Sequence, residues 1–244
     1  DAYYEGGVIM IQINDVSIVY DHTITAINHL TTTINTPVTA IIGENGSGKS
    51  TLLTSIVGLH PMTGSILVDG LEVKKENLHA IRKRVGYLFQ NPDHQLFMNT
   101  VYEDIAFGLV SQGIQQDVVE EKVQAMASQL QIDDLLTRNC AKLSGGQKSL
   151  VALAGVLVME PDILLLDEPT AFLDPKARRR IINILKSLPQ SIILATHDLD
   201  MAYDLVDEVI LIHRGELILK GDRQILTDKD ILETNGLELP LRFQ

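Results

Sequence analysis

The segment Gly43-Glu44-Asn45-Gly46-Ser47-Gly48-Lys49-Ser50 constrains this chain more than any other, because it joins the apolar run Val38-Thr39-Ala40-Ile41-Ile42 to a helical pattern near Lys49–Val57. It has the form G-x4-G-K-[ST], a phosphate-cradling loop set between a strand and a helix. Each residue type has a chemical reason. Glycines let the backbone curl so that several N–H groups point inward. The helix that follows presents its positive end to the same point. In such a loop Lys49 reaches the β- and γ-phosphates of a nucleotide, and the Ser50 hydroxyl ligates Mg2+. Thr51 can add a further hydrogen bond to phosphate.

The remaining pattern supplies a scaffold for that loop. Met10–Val19 and Ile24–Ile34 read as strands with alternating Thr and Ile. Ser65–Val68 reads as another strand, followed by a turn at Asp69-Gly70. From about Asn91 to Leu136 the pattern is helical and reads as an inserted helical subdomain. Ser144 is placed to N-cap a helix running to Met159, which Pro161 stops. Ile163–Leu166 and Ser191–Thr196 are apolar enough to be strands buried on both faces. Asp174-Pro175 stands in N-cap then N1 order for a helix between them. Val209–Ile212 and Leu217–Leu219 form a hairpin through Arg214-Gly215. Strands alternating with helices imply an α/β fold with a mostly parallel sheet.

Asp167 closes the run Ile163-Leu164-Leu165-Leu166, which puts a carboxylate at the C-terminal edge of a sheet strand, where α/β sheets bind ligands. Paired with the phosphate loop, it reads as a Walker B carboxylate holding Mg2+ through water. Glu168, the next residue, reads as the base that orients and activates an attacking water.

Composition narrows the partners. The chain has 244 residues and a formal net charge of -12. An acidic chain of this kind repels nucleic-acid phosphates unless it segregates a basic face, so no nucleic-acid partner is expected. The short basic runs Arg82-Lys83-Arg84 and Arg178-Arg179-Arg180 read as a solvated helix face or surface turn. The one cysteine, Cys140, cannot form an internal disulfide, and a small, partly buried residue is the expected role. The longest apolar stretch, Leu150 to Met159, is too short to span a bilayer, and no signal peptide is visible. Residues 1–9, ahead of Met10, read as an expression remnant.

Further segments now form a joint pattern. Leu143-Ser144-Gly145-Gly146-Gln147, Gln90, Ala171-Phe172-Leu173-Asp174, Thr196-His197-Asp198 and Tyr20 occur in an order and spacing that resemble the ATPase subunits of ABC transporters. The resemblance implies a RecA-like P-loop NTPase core (residues 10–90 and 152–221) with an N-terminal antiparallel β subdomain. It also implies a helical subdomain (91–151) ending in the signature motif, and a tail (222–244). It implies ATP and Mg2+ as ligands and a head-to-tail dimer with a second ABC ATPase subunit, a copy or a paralogue. In that dimer Ser144, Gly145, Gly146 and Gln147 would close on the γ-phosphate held by the partner. The same resemblance has His197 holding Glu168 and water in line, Gln90 touching Mg2+ and Asp174 contacting the opposite subunit. It has Tyr20 stacking on adenine.

Gln90-Asn91-Pro92-Asp93-His94-Gln95-Leu96-Phe97 and Thr100-Val101-Tyr102-Glu103-Asp104-Ile105-Ala106-Phe107-Gly108 resemble the ATPases of energy-coupling factor (ECF) importers. Lys148, Val151–Leu157 and the tail motif Gly236-Leu237-Glu238-Leu239-Pro240 are similar to that group as well. This implies a membrane T component docking near Gln90–Phe97, a substrate-binding S component, and a peripheral position on the cytoplasmic face of the cell membrane. The cargo implied is a vitamin or a transition-metal ion; the alternative is another class of ABC importer. Leu96 and Phe97 fit either exposed contacts or core positions. Ser149 and Leu150 stand where Gln-Arg is usual, and Phe172 where a small residue is usual.

Overall fold

A computed structural model describes residues 9–21 and 23–244. The reading of an expression remnant falls, for residues 1–8, outside the described residues. The elements in chain order are β1 (Ile11–Tyr20), β2 (Ile24–Ile34), β3 (Val38–Ile42), α1 (Lys49–Ile56), β4 (Thr63–Val68), β5 (Leu71–Glu72), α2 (Leu78–Arg84), β6 (Val85–Leu88), α3 (Val101–Ser111) and α4 (Gln116–Gln129). They continue with α5 (Gly145–Leu157), β7 (Ile163–Asp167), α6 (Pro175–Ser187), β8 (Ser191–Thr196), α7 (Leu199–Leu205), β9 (Glu208–His213), β10 (Glu216–Asp222) and α8 (Lys229–Thr234). The chain divides into two compact units. One comprises residues 1–85, 162–167 and 190–244; the other comprises 86–161 and 168–189.

The first unit carries two sheets. One is antiparallel, in the order β2-β1-β4-β5. Its alternation is rephased partway along: Ile11, Ile13, Val16 and Ile18 are all buried in β1, with Asp15 at φ +51° between the two pairs. The bulge lets both halves of the strand face the core, since a one-residue shift moves side chains to the other face. In the second sheet the strands of this unit run β10-β9-β3-β8-β7. Pairs β3–β8, β3–β9 and β7–β8 are parallel, and β9–β10 is an antiparallel hairpin. Leu164, Leu165 and Leu166 have no exposed surface, which is why β7 is an unbroken apolar run. Each such side chain contributes roughly 1.5–3 kcal/mol by leaving water.

The second unit is helical. Thr100 and Glu103 form a reciprocal capping box at the start of α3. Ser144 and Gln147 form another at the start of α5. Asp174 accepts from the N–H groups of Lys176 and Ala177, and Pro175 follows at N1 of α6. Helix α3 packs on α5 and on α4.

This division differs from the boundaries read at 90/91 and 151/152. Helix α5 runs unbroken from its cap to Leu157, and its buried residues Val151, Leu153, Val156 and Leu157 belong to the same apolar face as Leu150. A boundary at 151 would cut that helix, so 152–161 stays with the helical unit, and α6 joins it. The tail belongs to the first unit, where Arg242 pairs with Asp200 at 3.0 Å and Asp204 at 2.6 Å. The basic run at 82–84 is also less solvated than read. It ends α2, and Arg84 is half-buried between Asp69 at 3.0 Å and Asp162 at 2.7 Å.

Gly215 makes the tightest approach in the β9–β10 turn. It sits at φ +81°, and a Cβ there would lie 2.7 Å from the Ala26 carbonyl oxygen. Its N–H donates to Ser47 O and its carbonyl accepts from Asn28 N–H, both at 2.9 Å. Gly215→Ala is expected to lower the unfolding free energy by about 1–3 kcal/mol, measured by urea denaturation; an unchanged midpoint would show that the Ala26 backbone can yield.

Candidate functional site

The first unit brings three chain segments to one edge of its sheet. Because β3, β8 and β7 are parallel, their carboxyl ends lie together: Ile42 pairs with Thr196, and Asp167 with Ala195. The loop Gly43–Gly48 leaves β3, His197 follows β8, and Asp167 ends β7.

In the loop, Glu44, Asn45 and Gly46 are exposed, while Gly43, Ser47 and Lys49 are buried. Gly46 sits at φ +80° with nothing within 4 Å of the place a Cβ would take. Gly43 and Gly48 have a second reason to be glycine. A Cβ on Gly43 would meet Ile212 O at 2.2 Å, and one on Gly48 would meet Ala26 O at 2.4 Å. The loop is thus pressed against the backbones of β9 and β2. Gly48, at φ +104°, is the N-cap of α1. The Lys49 ammonium spans the loop, donating to Gly43 O at 2.8 Å and Glu44 O at 2.9 Å.

Ser50 Oγ donates to Asp167 Oδ1 at 2.8 Å. These are two hard oxygens beside a loop of N–H groups. Mg2+ is commonly held by one or two protein oxygens plus substrate phosphates rather than by an all-protein cage. Among the described residues no group of three or more His, Cys, Asp or Glu side chains could hold a metal. The donor set therefore fits a magnesium ion that arrives with a polyphosphate.

Tyr20 Oη lies 3.2 Å from Thr51 Oγ1, which places the aromatic ring beside the start of α1. His60, which the sequence reading passed over, also contacts Tyr20 and Thr54. Desolvation lowers its pKa, so its imidazole is neutral near pH 7. No spacing rule pointed to it, since it lies in the connection after α1. His197 is exposed, and the next residue, Asp198, caps α7 by accepting from Met201 N–H.

The second unit holds the remaining candidates. Glu168 is buried at 6% exposure and sits at φ +47°, a backbone region that costs a non-glycine residue. Gln90 is exposed after β6. Ser144 Oγ accepts from Gln147 N–H at 3.4 Å, and Gln147 Oε1 accepts from Ser144 N–H at 3.0 Å. The cap orders the first turn of α5, where Gly145 is exposed and Gly146 half-buried. A Cβ on Gly146 would lie 2.8 Å from Ala177 Cβ, so α5 and α6 approach closely there. Phe172 is 87% exposed at φ +60°, two residues before Asp174.

Segment 90–97 is braced on α5. Lys148 Nζ meets Asp93 Oδ1 at 2.5 Å, and Gln95 Nε2 donates to Ala152 O at 3.1 Å. Phe97 is 63% exposed and packs edge-on against Phe107, with ring centroids 4.7 Å apart. Phe97 is thus an exposed and not a core position, and Leu96 is half-buried. Cys140 is buried; burial first, and the Asp104 carboxylate second, push its thiol pKa up, so it is a packed, unreactive group. Arg180 donates to the carbonyls of Leu130 and Gln131. One residue of the 178–180 run is therefore spent on closing α4.

The family model described as ABC transporter matches residues 27–171. A protein named as an ABC transporter ATP-binding protein of Gloeobacter violaceus is 48% identical over 206 residues, covering 83% of this chain and 84% of its own. The energy-coupling factor transporter ATP-binding protein EcfA of Carboxydothermus hydrogenoformans is 42% identical over 207 residues, covering 83% and 77%. Among solved structures, CbiO1 of Clostridium perfringens, described as part of the ABC transporter complex CbiONQ, superposes with a TM-score of 0.82. It is 35% identical, with 97% of each chain covered.

Ser144→Ala removes the cap hydroxyl and is expected to lower the unfolding free energy by about 1 kcal/mol, with Ser144→Gly losing only a few tenths. Guanidinium titration of both variants checks this; equal losses would mean that the hydroxyl caps nothing.

Proposed function

The chain belongs to the ABC transporter family as an ATP-binding subunit, and from that premise we propose that it is the ATPase of an ECF-type importer, working in a dimer of such subunits. The observation that carries this reading is the pair Ser50 Oγ–Asp167 Oδ1 beside a lysine that spans the phosphate loop. It is a preorganised electrostatic site for a polyphosphate and its metal.

In this reading the N–H groups of Gly43–Ser50 and the start of α1 cradle the phosphates of ATP, and Lys49 leaves the loop carbonyls to neutralise the β- and γ-oxygens. Thr51 adds a hydrogen bond, and Tyr20 stacks on the adenine. Ser50, Asp167 and Gln90 hold Mg2+, which supplies charge neutralisation at the transferring phosphoryl group. Glu168 orients the attacking water and takes up its proton, and His197 keeps carboxylate, water and γ-phosphate in line. The buried position of Glu168 suits a base that must act away from bulk solvent.

The dimer follows from counting anion sites. The start of α1 is one. The start of α5 is a second, built from Ser144, Gly145, Gly146 and Gln147. In a head-to-tail pair, the second site of one chain closes on the γ-phosphate held by the other. Asp174, with Phe172 beside it, lies in the segment that meets the opposite subunit. Donors of this kind are worth about 2.7–4 kcal/mol each in transition-state stabilisation.

No described helix is long and apolar enough to cross a membrane, and in this reading the chain works with membrane partners. The exposed Phe97–Phe107 pair, braced on the signature helix through Lys148 and Gln95, supports docking of a T component there. An S component then supplies the cargo, a vitamin or a transition-metal ion, and the chain works as a peripheral protein on the cytoplasmic face.

Glu168→Gln is expected to keep MgATP affinity, to lose about 10²–10⁴ in turnover and to accumulate ATP-bound dimers on gel filtration; normal turnover would refute the assigned base. Lys49→Ala is expected to weaken MgATP binding itself, read by calorimetry. Co-purification from native membranes is expected to recover an S and a T component, whereas permeases of another type would place the chain with a different class of ABC importer.

A further inference from the structure

Tyr20 is the last residue of β1, and only a short turn follows it, with Thr23 N–H donating to Tyr20 O at 3.0 Å. Strand pairing orders its backbone but leaves its phenol free to turn about two torsions. The contacts that stop the ring come from α1 and the connection after it. The His60 ring meets the Tyr20 ring edge-on, with centroids 5.2 Å apart and planes at 89°. Tyr20 Oη lies 3.2 Å from both His60 Nε2 and Thr51 Oγ1.

His60 is itself held. Its Nε2 lies 2.8 Å from Thr54 Oγ1. A threonine hydroxyl has one proton, and Thr54 spends it on the Ser50 carbonyl at 2.7 Å. With Thr54 donating to that carbonyl, its Oγ1 accepts from the Nε2–H tautomer of His60. With that proton given to Thr54, His60 holds the phenol by edge-to-face packing and close contact, not by a second hydrogen bond from Nε2.

We propose that His60 is a positioning residue that holds the Tyr20 ring in its base-stacking orientation before nucleotide arrives. The proposal rests on the reading of Tyr20 as the adenine-stacking residue. A ring fixed in advance loses little freedom on binding, so its stacking is expressed more fully as affinity. The effect falls chiefly on the base, because His60 contacts the Tyr20 ring directly and reaches Ser50 and Thr51 only through Thr54 and Tyr20.

The test is calorimetry on the purified full-length chain with MgATP and, separately, with magnesium tripolyphosphate, which has no base. His60→Leu is expected to weaken MgATP by about three- to ten-fold and to leave tripolyphosphate affinity within about two-fold. His60→Gln, whose amide can still donate to Thr54, is expected to recover part of the loss. In a Tyr20→Ala background, His60→Leu is expected to add nothing, since the two act as one unit. Equal losses for both ligands would overturn the proposal by moving the effect into α1. Unchanged MgATP affinity in His60→Leu, with Tyr20→Ala still weakened, would overturn it while sparing the adenine reading. Unchanged affinity in Tyr20→Ala would remove both. Circular dichroism keeps folding in view, and His60→Gln serves as the gentler variant if His60→Leu does not fold.

Discussion

Parallel pairing of β3, β8 and β7 is the constraint on which the phosphate site depends. Parallel strands point their carboxyl ends the same way, so residues far apart in the chain arrive at one edge. The register does the rest. With Ile42 opposite Thr196 and Asp167 opposite Ala195, the phosphate loop, the segment of His197 and the carboxylate of Asp167 end at the same level. Shifting β7 by one residue would turn Asp167 to the other face and remove the oxygen that Ser50 meets at 2.8 Å.

Close backbone packing then shapes the loop. Gly43 lies under the β9 carbonyl of Ile212, while Gly48 and Gly215 share the carbonyl of Ala26. Three glycines thus serve a packing role that is distinct from cradling phosphate, and the Gly215–Ser47 hydrogen bond ties the two turns together. The antiparallel sheet supplies Ala26 and the strand end that carries Tyr20. It packs directly under the loop, since Ala26 of β2 lies against Gly48.

The helical unit is organised by its caps. Ser144 and Gln147 satisfy each other's end groups, which sets the first turn of α5 before any partner is considered. The same helix is gripped by Lys148–Asp93 and Gln95–Ala152. The segment with exposed Phe97 is therefore tied directly to the helix that starts at Ser144.

Much of this was legible in residue order. The loop 43–50, the carboxylate pair 167–168 and the caps at Ser144 and Asp174 are local patterns, and local patterns depend on neighbours in the chain. The short helices α2, α7 and α8 were not read, because six or seven residues hold too few turns for a periodicity to show. The boundary read at 151 divides α5, whose buried face continues past it. Residue order fixes the chemical groups, their succession and the strand–loop–helix with the phosphate-loop pattern, since these follow from side-chain type and short-range geometry. Only the tertiary structure decided that Ser50 meets Asp167, that Gly48 and Gly215 crowd one carbonyl, and that His60 backs Tyr20. Those contacts join residues from 22 to 189 positions apart, and strand pairing and register decide which of them touch.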